Sequence, residues 1–310
     1  MVPFMPPRPV MPPVPVALIE VAGRQLGLVT TAQAGASGLD RAALRSLARA
    51  GRWQRVLRGV WWPRFDGRTQ LTSTQIVYAG MLAVGGGVAC LDSAAVVLGL
   101  DGAPRDGKTH VCLQPDATRS QPAGVALHWL ALDPADVVVV NGVRCTAPHR
   151  LLADATKRWD RDHAVSLGDS ALRHELIAPQ TLGDLAARVP ATRRAWLGLM
   201  DGRAESPLET RVRLLLIDHG LAPEDLQTEL FEGEVLRARL DITWPSRKVA
   251  VECDGAAYHG APVALFKDRT RQDDVNHLGW RIVRVTWDDW LFRPEDVLRR
   301  VRRALAAAAV

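Results

Sequence analysis

Residues 239–259 read RLDITWPSRKVAVECDGAAYH, and this stretch decides the fold of the last third of the chain. Leu240, Ile242 and Trp244 alternate with other positions at the period of two that a half-buried strand requires. Pro245-Ser246 breaks the alternation. Val249-Ala250-Val251 then begins a second run that leads into Glu252-Cys253-Asp254-Gly255. The pattern is strand, turn, strand, with Asp241 on the first strand and Glu252 and Asp254 sharing one face of the second. A turn of two residues (Ser246-Arg247) or of four (245–248) places Asp241 opposite Glu252, their Cβ atoms about 5 Å apart. An odd turn would send them to opposite faces. Carboxylates this close repel, and burying them is costly unless a cation holds both ionised. Oxygen ligands favour Mg²⁺ or Mn²⁺, so Asp241 and Glu252 are candidate metal ligands.

An Asp, a hairpin and Glu-x-Asp-Gly with a nearby histidine resemble the PD-(D/E)xK nuclease superfamily, above all its branch of very-short-patch-repair (Vsr) endonucleases and their bacterial relatives. The flanks agree. Ser206-Pro207-Leu208-Glu209 opens an apolar helix (Val212, Leu215, Leu216) similar to the family's leading helix with its acidic residue. Asp268-Arg269-x-Arg271, followed by the run from Leu278-Gly279-Trp280 to Val285, resembles its later helix and closing strand. The resemblance implies a restriction-endonuclease-like α/β/α domain over 206–310 that hydrolyses DNA phosphodiesters with Mg²⁺ or Mn²⁺. It implies that Asp241 and Glu252 hold the ion, that His259 acts as base or orienter, and that Glu209 reaches the ion through water. Arg269 and Arg271 would contact phosphate. Asp254 stands where the superfamily usually has lysine; it is counted with the catalytic set, and His259 becomes the assisting group.

A chain of 310 residues, 47% hydrophobic and 24% charged, has room for two or three soluble domains. Cys90, Cys112, Cys145 and Cys253 show no CxxC spacing, so they announce neither a zinc site nor a disulfide framework. They read as small buried apolar residues in a reducing cytoplasm. Residues 1–16 hold seven prolines and are expected to form an extended, disordered leader rather than a signal-peptide helix. No later run is long and apolar enough to span a bilayer, so a membrane partner is not expected.

Charge is unevenly spread. Residues 1–66 carry nine Arg and three acids, a net +6; residues 67–206 are neutral and residues 207–310 carry −1. A concentrated cationic patch is an electrostatic footprint for DNA. The segment 17–66 has the matching shape. A helix over 17–28 precedes a short one from Thr31, and Asp40 caps a third over 41–50 that ends at Gly51. On the third, Leu44, Leu47 and Ala48 share one face and Arg41, Arg45 and Arg49 the other. β-like runs over 53–57 and 60–62, joined by Arg58-Gly59, complete a winged helix-turn-helix. Arg41 and Arg45 would enter the major groove, Arg49 extends the basic face, and Arg52, Arg55 and Arg58 would sit on phosphate.

Thr31-Ala32-Gln33-Ala34 with Gly38, then Trp53, Val56 and Arg58-Gly59-Val60-Trp61, resemble the winged-helix domain of AbiEi-type antitoxins, the repressor half of type IV toxin–antitoxin systems. Residues 67–185 are expected to form an α/β middle domain, with helices over 74–83 and 92–98 and strands over 109–113, 125–129 and 137–140. Ser93-Ala94-Ala95 and Thr146-x-Pro148-x-Arg150 resemble the middle region of the same antitoxins. Gly85–Gly87 is not a phosphate loop, since no Gly-Lys-Ser/Thr follows, and reads as a turn before a strand. His110, His128 and His149 lie too far apart in sequence to suggest a metal site, and Asp92, Asp154 and Asp169 match no catalytic spacing. The Arg-rich stretch 186–205 is expected to be a linker.

The fold class is therefore multidomain α/β. Two functional readings stand: a DNA-targeted, metal-dependent endonuclease, or an AbiEi-like antitoxin and repressor whose nuclease fold no longer cuts. DNA is the expected partner of both, with a cognate toxin or a second copy of the chain beside it.

Overall fold

The computed structural model describes residues 14–64, 67–255, 275 and 277–308. Most of the proline-rich leader lies outside them. The chain divides into two compact units, Met1–Gly99 with Pro104–Leu151, and Leu100–Ala103 with Leu152–Val310.

The first unit opens with α1 (Val16–Arg24), β1 (Val29–Thr30), α2 (Thr31–Ala36), α3 (Arg41–Arg49), β2 (Gln54–Leu57) and β3 (Val60–Trp62). Thr30 and Gln33 satisfy each other's backbone amides in a capping box that starts α2. Asp40 starts α3 by accepting from the Ala43 amide at 2.7 Å. Leu44 and Leu47 of α3 pack with Leu18, Val29, Trp53 and Trp61, and the strands pair antiparallel in the order β1-β3-β2. This is a winged helix-turn-helix.

The chain continues through α4 (Ser73–Val84), β4 (Val88–Ala89), α5 (Leu91–Leu98), β5 (Thr109–Leu113), β6 (Val125–Trp129), β7 (Val137–Val140) and β8 (Val143–Thr146). The five strands form one mixed sheet in the order β6-β5-β4-β8-β7. The middle region is not independent of the wing. Ala79 of α4 shares a core with Leu28, Val60 and Trp62, and Gln75 donates to the Leu26 carbonyl at 2.7 Å. Gly80 is required where α4 crosses the sheet, because a Cβ there would lie 2.4 Å from Thr109 Cγ2.

In the second unit, α6 (Pro148–Arg158, beginning in the first unit), α7 (Arg161–Arg173), α8 (Thr181–Leu185) and a 3-10 segment (Ala191–Leu199) precede α9 (Pro207–Asp218). Then come β9 (Asp225–Glu232), β10 (Val235–Trp244), β11 (Val249–Asp254), β12 (Arg281–Thr286), α10 (Trp287–Phe292) and α11 (Pro294–Ala307). The sheet order is β12-β11-β10-β9, with β12 parallel to β11 and the other pairs antiparallel. Leu208, Val212 and Leu216 of α9 and Val297, Leu298 and Val301 of α11 cover Ile242, Trp244, Val249 and Val251. A second cluster, Leu230, Leu240, Ala250, Val275 and Trp280, completes a restriction-endonuclease-like arrangement.

The stretch 186–205 differs from the linker expected of it. It buries Val189, Leu197, Met200 and Ala204. Arg193 donates to the Thr156 and Trp159 carbonyls at 2.8 and 3.2 Å. Arg193 serves packing while Arg188, Arg194 and Arg203 are exposed, a difference that composition alone could not show. Among the described residues, no helix is long and apolar enough to cross a membrane.

Candidate functional site

The β10–β11 turn holds four residues, a 3-10 turn over Pro245–Arg247 and Lys248 in the left-handed region at φ 48°. The register pairs Trp244 with Val249, Thr243 with Ala250 and Ile242 with Val251. The ladder ends there, with Asp241 and Glu252 the next residue on each strand. Leu240 and Ile242 belong to different core clusters, so β10 changes face at Asp241. There the Asp241 carboxylate reaches across the strands, and Oδ2 accepts from the Cys253 amide at 2.8 Å.

Two neighbours complete the cluster. Glu209, in the first turn of α9, is only 6% exposed, and its Oε2 accepts from the Glu205 amide at 2.8 Å and from Gln227 Nε2 at 2.9 Å. Burial raises its carboxyl above the ordinary range; the Glu205 amide opposes this and the Asp241 charge adds to it. Gln227 Nε2 also lies 3.5 Å from Asp241 Oδ1, so one amide touches both acids. Its backbone is left-handed, φ 54°, within a strand. A non-glycine residue there is strained, and such strain gathers at functional sites. Sequence reasoning missed Gln227, because a glutamine in a strand carries no signal of a positive φ.

Glu252 is 8% exposed. Asp254 ends β11, and its Oδ2 lies 3.7 Å from Arg284 on β12. The Cys253 thiol registers the gathering of charge. Burial pushes it well above its ordinary value, and Asp241, Glu209, Glu252 and Asp254 all push the same way. Asp241, Glu209, Glu252 and Asp254 thus all lie close enough to Cys253, near the end of β11, to act on its thiol. His259, Arg269 and Arg271 lie outside the described residues.

On the winged helix, Arg41, Arg45 and Arg49 are exposed on the side of α3 opposite its buried leucines, and Arg52, Arg55 and Arg58 are exposed on the wing.

The reading that kept His110 and His128 apart is corrected. The parallel pairing of β5 with β6 sets His110 beside Ala126 and His128 beside Cys112, which brings His110 Nδ1 within 2.9 Å of His128 Nε2. The crossover between the strands makes them neighbours, and linear spacing cannot show that. His149 stays apart, 3.3 Å from Asp136. Among the described residues, one set of three metal-capable side chains brings its ligand atoms within 4.8 Å of one another: Asp92, Asp106 and His110.

Fold and site together define an antitoxin-type regulator domain joined in one chain to a restriction-endonuclease-like domain. Residues 16–61 match the family described as "Transcriptional regulator, AbiEi antitoxin", and residues 229–305 match the restriction-endonuclease-like family REase_MTES_1575. Uncharacterized protein MT2308 of Mycobacterium tuberculosis (strain CDC 1551 / Oshkosh) is 31% identical over 230 residues, covering 72% of this chain and 83% of that protein. Uncharacterized protein Rv2248 of strain ATCC 25618 / H37Rv has the same identity, 31%, and the same coverage. The chain belongs to the family of these two mycobacterial proteins.

Proposed function

We propose that the protein binds DNA through its winged helix and hydrolyses phosphodiester bonds in its C-terminal domain as a PD-(D/E)xK, Vsr-like endonuclease of the cytoplasm. One observation supports the reading: Gln227 joins Asp241 to buried Glu209, next to the end of β11 that carries Glu252, in a domain that matches a restriction-endonuclease-like family. The donors are all carboxylate oxygens, which suits Mg²⁺ or Mn²⁺. The repulsion between Asp241 and buried Glu209 is of the kind a cation relieves.

In this reading Asp241 and Glu252 hold the ion. When bound, such an ion supplies a Lewis acid for the phosphate and a more acidic water. The Cys253 amide fixes the Asp241 carboxylate from one side, and Gln227 spans Asp241 and Glu209 from the other. That geometry holds the acids before substrate arrives. His259 is assigned the proton that leaves the attacking water, and Arg269 and Arg271 the charge on phosphate. Asp254, facing Arg284, occupies the position of the superfamily's lysine. Arg41, Arg45 and Arg49 read or grip the duplex, and Arg52, Arg55 and Arg58 grip its backbone.

A second reading rests on the antitoxin match over residues 16–61 and on that missing lysine. Here the chain is a repressor that binds a cognate toxin or a second copy, and its nuclease fold does not cut.

The test is cleavage of supercoiled plasmid by the full chain in Mg²⁺, Mn²⁺ or EDTA. The expected result is nicking or linearisation that needs the ion and disappears in Asp241→Ala and in Glu252→Ala. Salt-sensitive DNA binding with no cutting of supercoiled, mismatched or single-stranded DNA would select the repressor.

A further inference from the structure

We propose that Asp92, Asp106 and His110 form a second divalent-metal site, in the middle region, suited to a first-row transition ion such as Zn²⁺, with His128 as the positioning partner of His110. The site is independent of the nuclease reading.

Three elements bring the ligands together. Asp92 sits in the first turn of α5, Asp106 in the loop before β5, and His110 on β5 itself. Nε2 of His110 lies 3.1 Å from Asp106 Oδ1 and 3.5 Å from Asp92 Oδ1. Zinc ligands at about 2.0–2.1 Å in a tetrahedron stand about 3.3 Å apart, so both separations are those of tetrahedron edges. A proton on Nε2 accounts for the shorter contact, but the longer one is not a hydrogen bond. Asp92 Oδ1 is in fact buried with no hydrogen-bond partner. A buried carboxylate oxygen left without a donor is costly, and burial together with nearby Asp106 raises the Asp92 carboxyl, against the opposing effect of His110.

The far side of the imidazole agrees. A histidine that ligates a metal through one nitrogen donates from the other to a fixed acceptor. His110 Nδ1 lies 2.9 Å from His128 Nε2, and the two rings stack with centroids 5.1 Å apart. In the metal-bound form Nδ1–H donates to His128, and His110 Nε2 turns its lone pair to an ion that the two carboxylates also face. The Ser93 hydroxyl accepts from the His110 amide at 2.8 Å and anchors the start of α5 to β5. Side chains of Asp92 and His110 are 13% and 15% exposed, whereas Asp106 is 48% exposed. The third ligand therefore closes the site from the solvent side and leaves a coordination position for water. One imidazole with two carboxylates matches Zn²⁺ or a neighbouring first-row ion better than Ca²⁺ or Mg²⁺.

The experiment uses the full-length chain carrying Asp241→Ala and Glu252→Ala, stripped with EDTA and titrated with Zn²⁺ by calorimetry, with thermal melting in parallel. One Zn²⁺ per chain and a raised melting temperature are expected. Asp106→Asn, at an exposed position that leaves the metal-free fold intact, and His110→Gln should each weaken binding by at least about a hundredfold. His128→Ala, which acts through His110, should weaken it by about ten- to a hundredfold. Co²⁺ in place of Zn²⁺ should give the intense visible bands of a four-coordinate ion. Zn²⁺ uptake unchanged by Asp106→Asn or His110→Gln, or no saturable uptake at all, overturns the site.

Discussion

Glu209 is the residue on which the geometry of the carboxylate cluster bears hardest. It is buried, it shares Gln227 with Asp241, and burial first and the Asp241 charge in addition raise its carboxyl above the ordinary value of 4.5. The sign of the resulting pH dependence follows. As pH rises, the unfolded chain gives up this proton before the folded one does. The stabilising contribution of Glu209 is therefore whole below its ordinary value and is lost as pH climbs through the raised folded value. At neutral pH the cluster costs stability, as sites held ready for a cation commonly do. Asp241→Asn removes the like charge, while its amide oxygen can still accept from Cys253. In EDTA at neutral pH this variant should be more stable than the parent by on the order of 1 kcal/mol. The gain should vanish in acid below the ordinary carboxylate range, and cleavage should be lost. Urea unfolding at the two pH values checks this, and a variant less stable at neutral pH would show that the acids do not strain the fold.

At the scale of elements, α7 and α9 are joined by a buried ion pair that no sequence pattern announces. Asp169 Oδ2 accepts from Arg213 and from Thr210 Oγ1, each at 2.7 Å, and its Oδ1 accepts from the Asp201 amide at 2.7 Å. Burial lifts its carboxyl to about 6 against the pull of these donors. Asp169→Ala strands a guanidinium in the interior and should cost about 3–5 kcal/mol in urea unfolding. A loss below 1 kcal/mol would mean that water or a rearranged Arg213 fills the gap. What could be read in advance sorts by the range of the interaction. The β10–β11 hairpin was legible because alternation and Pro245 are local, and α3 because Asp40 caps it and its arginines and leucines separate at helical spacing. β4 has two residues, too few for any period, and only the turn at Gly85–Gly87 announces it, whereas β8 follows a short turn after β7 and escaped notice. Residues 186–205 looked like a linker because arginine is equally at home in solvent and on a buried carbonyl. Asp241, Glu252, Asp254 and Glu209 are candidates that the sequence offers, whereas Gln227 is not, since its place depends on the backbone of a neighbouring strand. His110 and His128 meet only through a parallel crossover.

Across the whole molecule, the net positive charge and the proposed chemistry belong to different parts of the chain. Residues 1–66 carry +6, while residues 207–310, which hold the carboxylate cluster, carry −1. A restriction-endonuclease-like domain without net positive charge has little electrostatic attraction for a polyanion. On the proposed function, its covalent connection to a cationic winged helix would present it to DNA at the effective concentration that the connection sets. The six exposed arginines should then govern capture and leave the chemical step alone. With about six phosphate contacts, the logarithm of DNA affinity should fall against the logarithm of salt with a slope of roughly −5. Replacing Arg41, Arg45, Arg49, Arg52, Arg55 and Arg58 together with glutamine should flatten most of that slope. Because all six side chains are exposed, the melting temperature should not move. Plasmid cleavage by this variant should need much more protein for half-maximal rate, yet reach the parent's rate at saturation in low salt. An unchanged salt slope would place the DNA contacts elsewhere, and a lower saturated rate would mean that the winged helix also takes part in positioning the scissile phosphate.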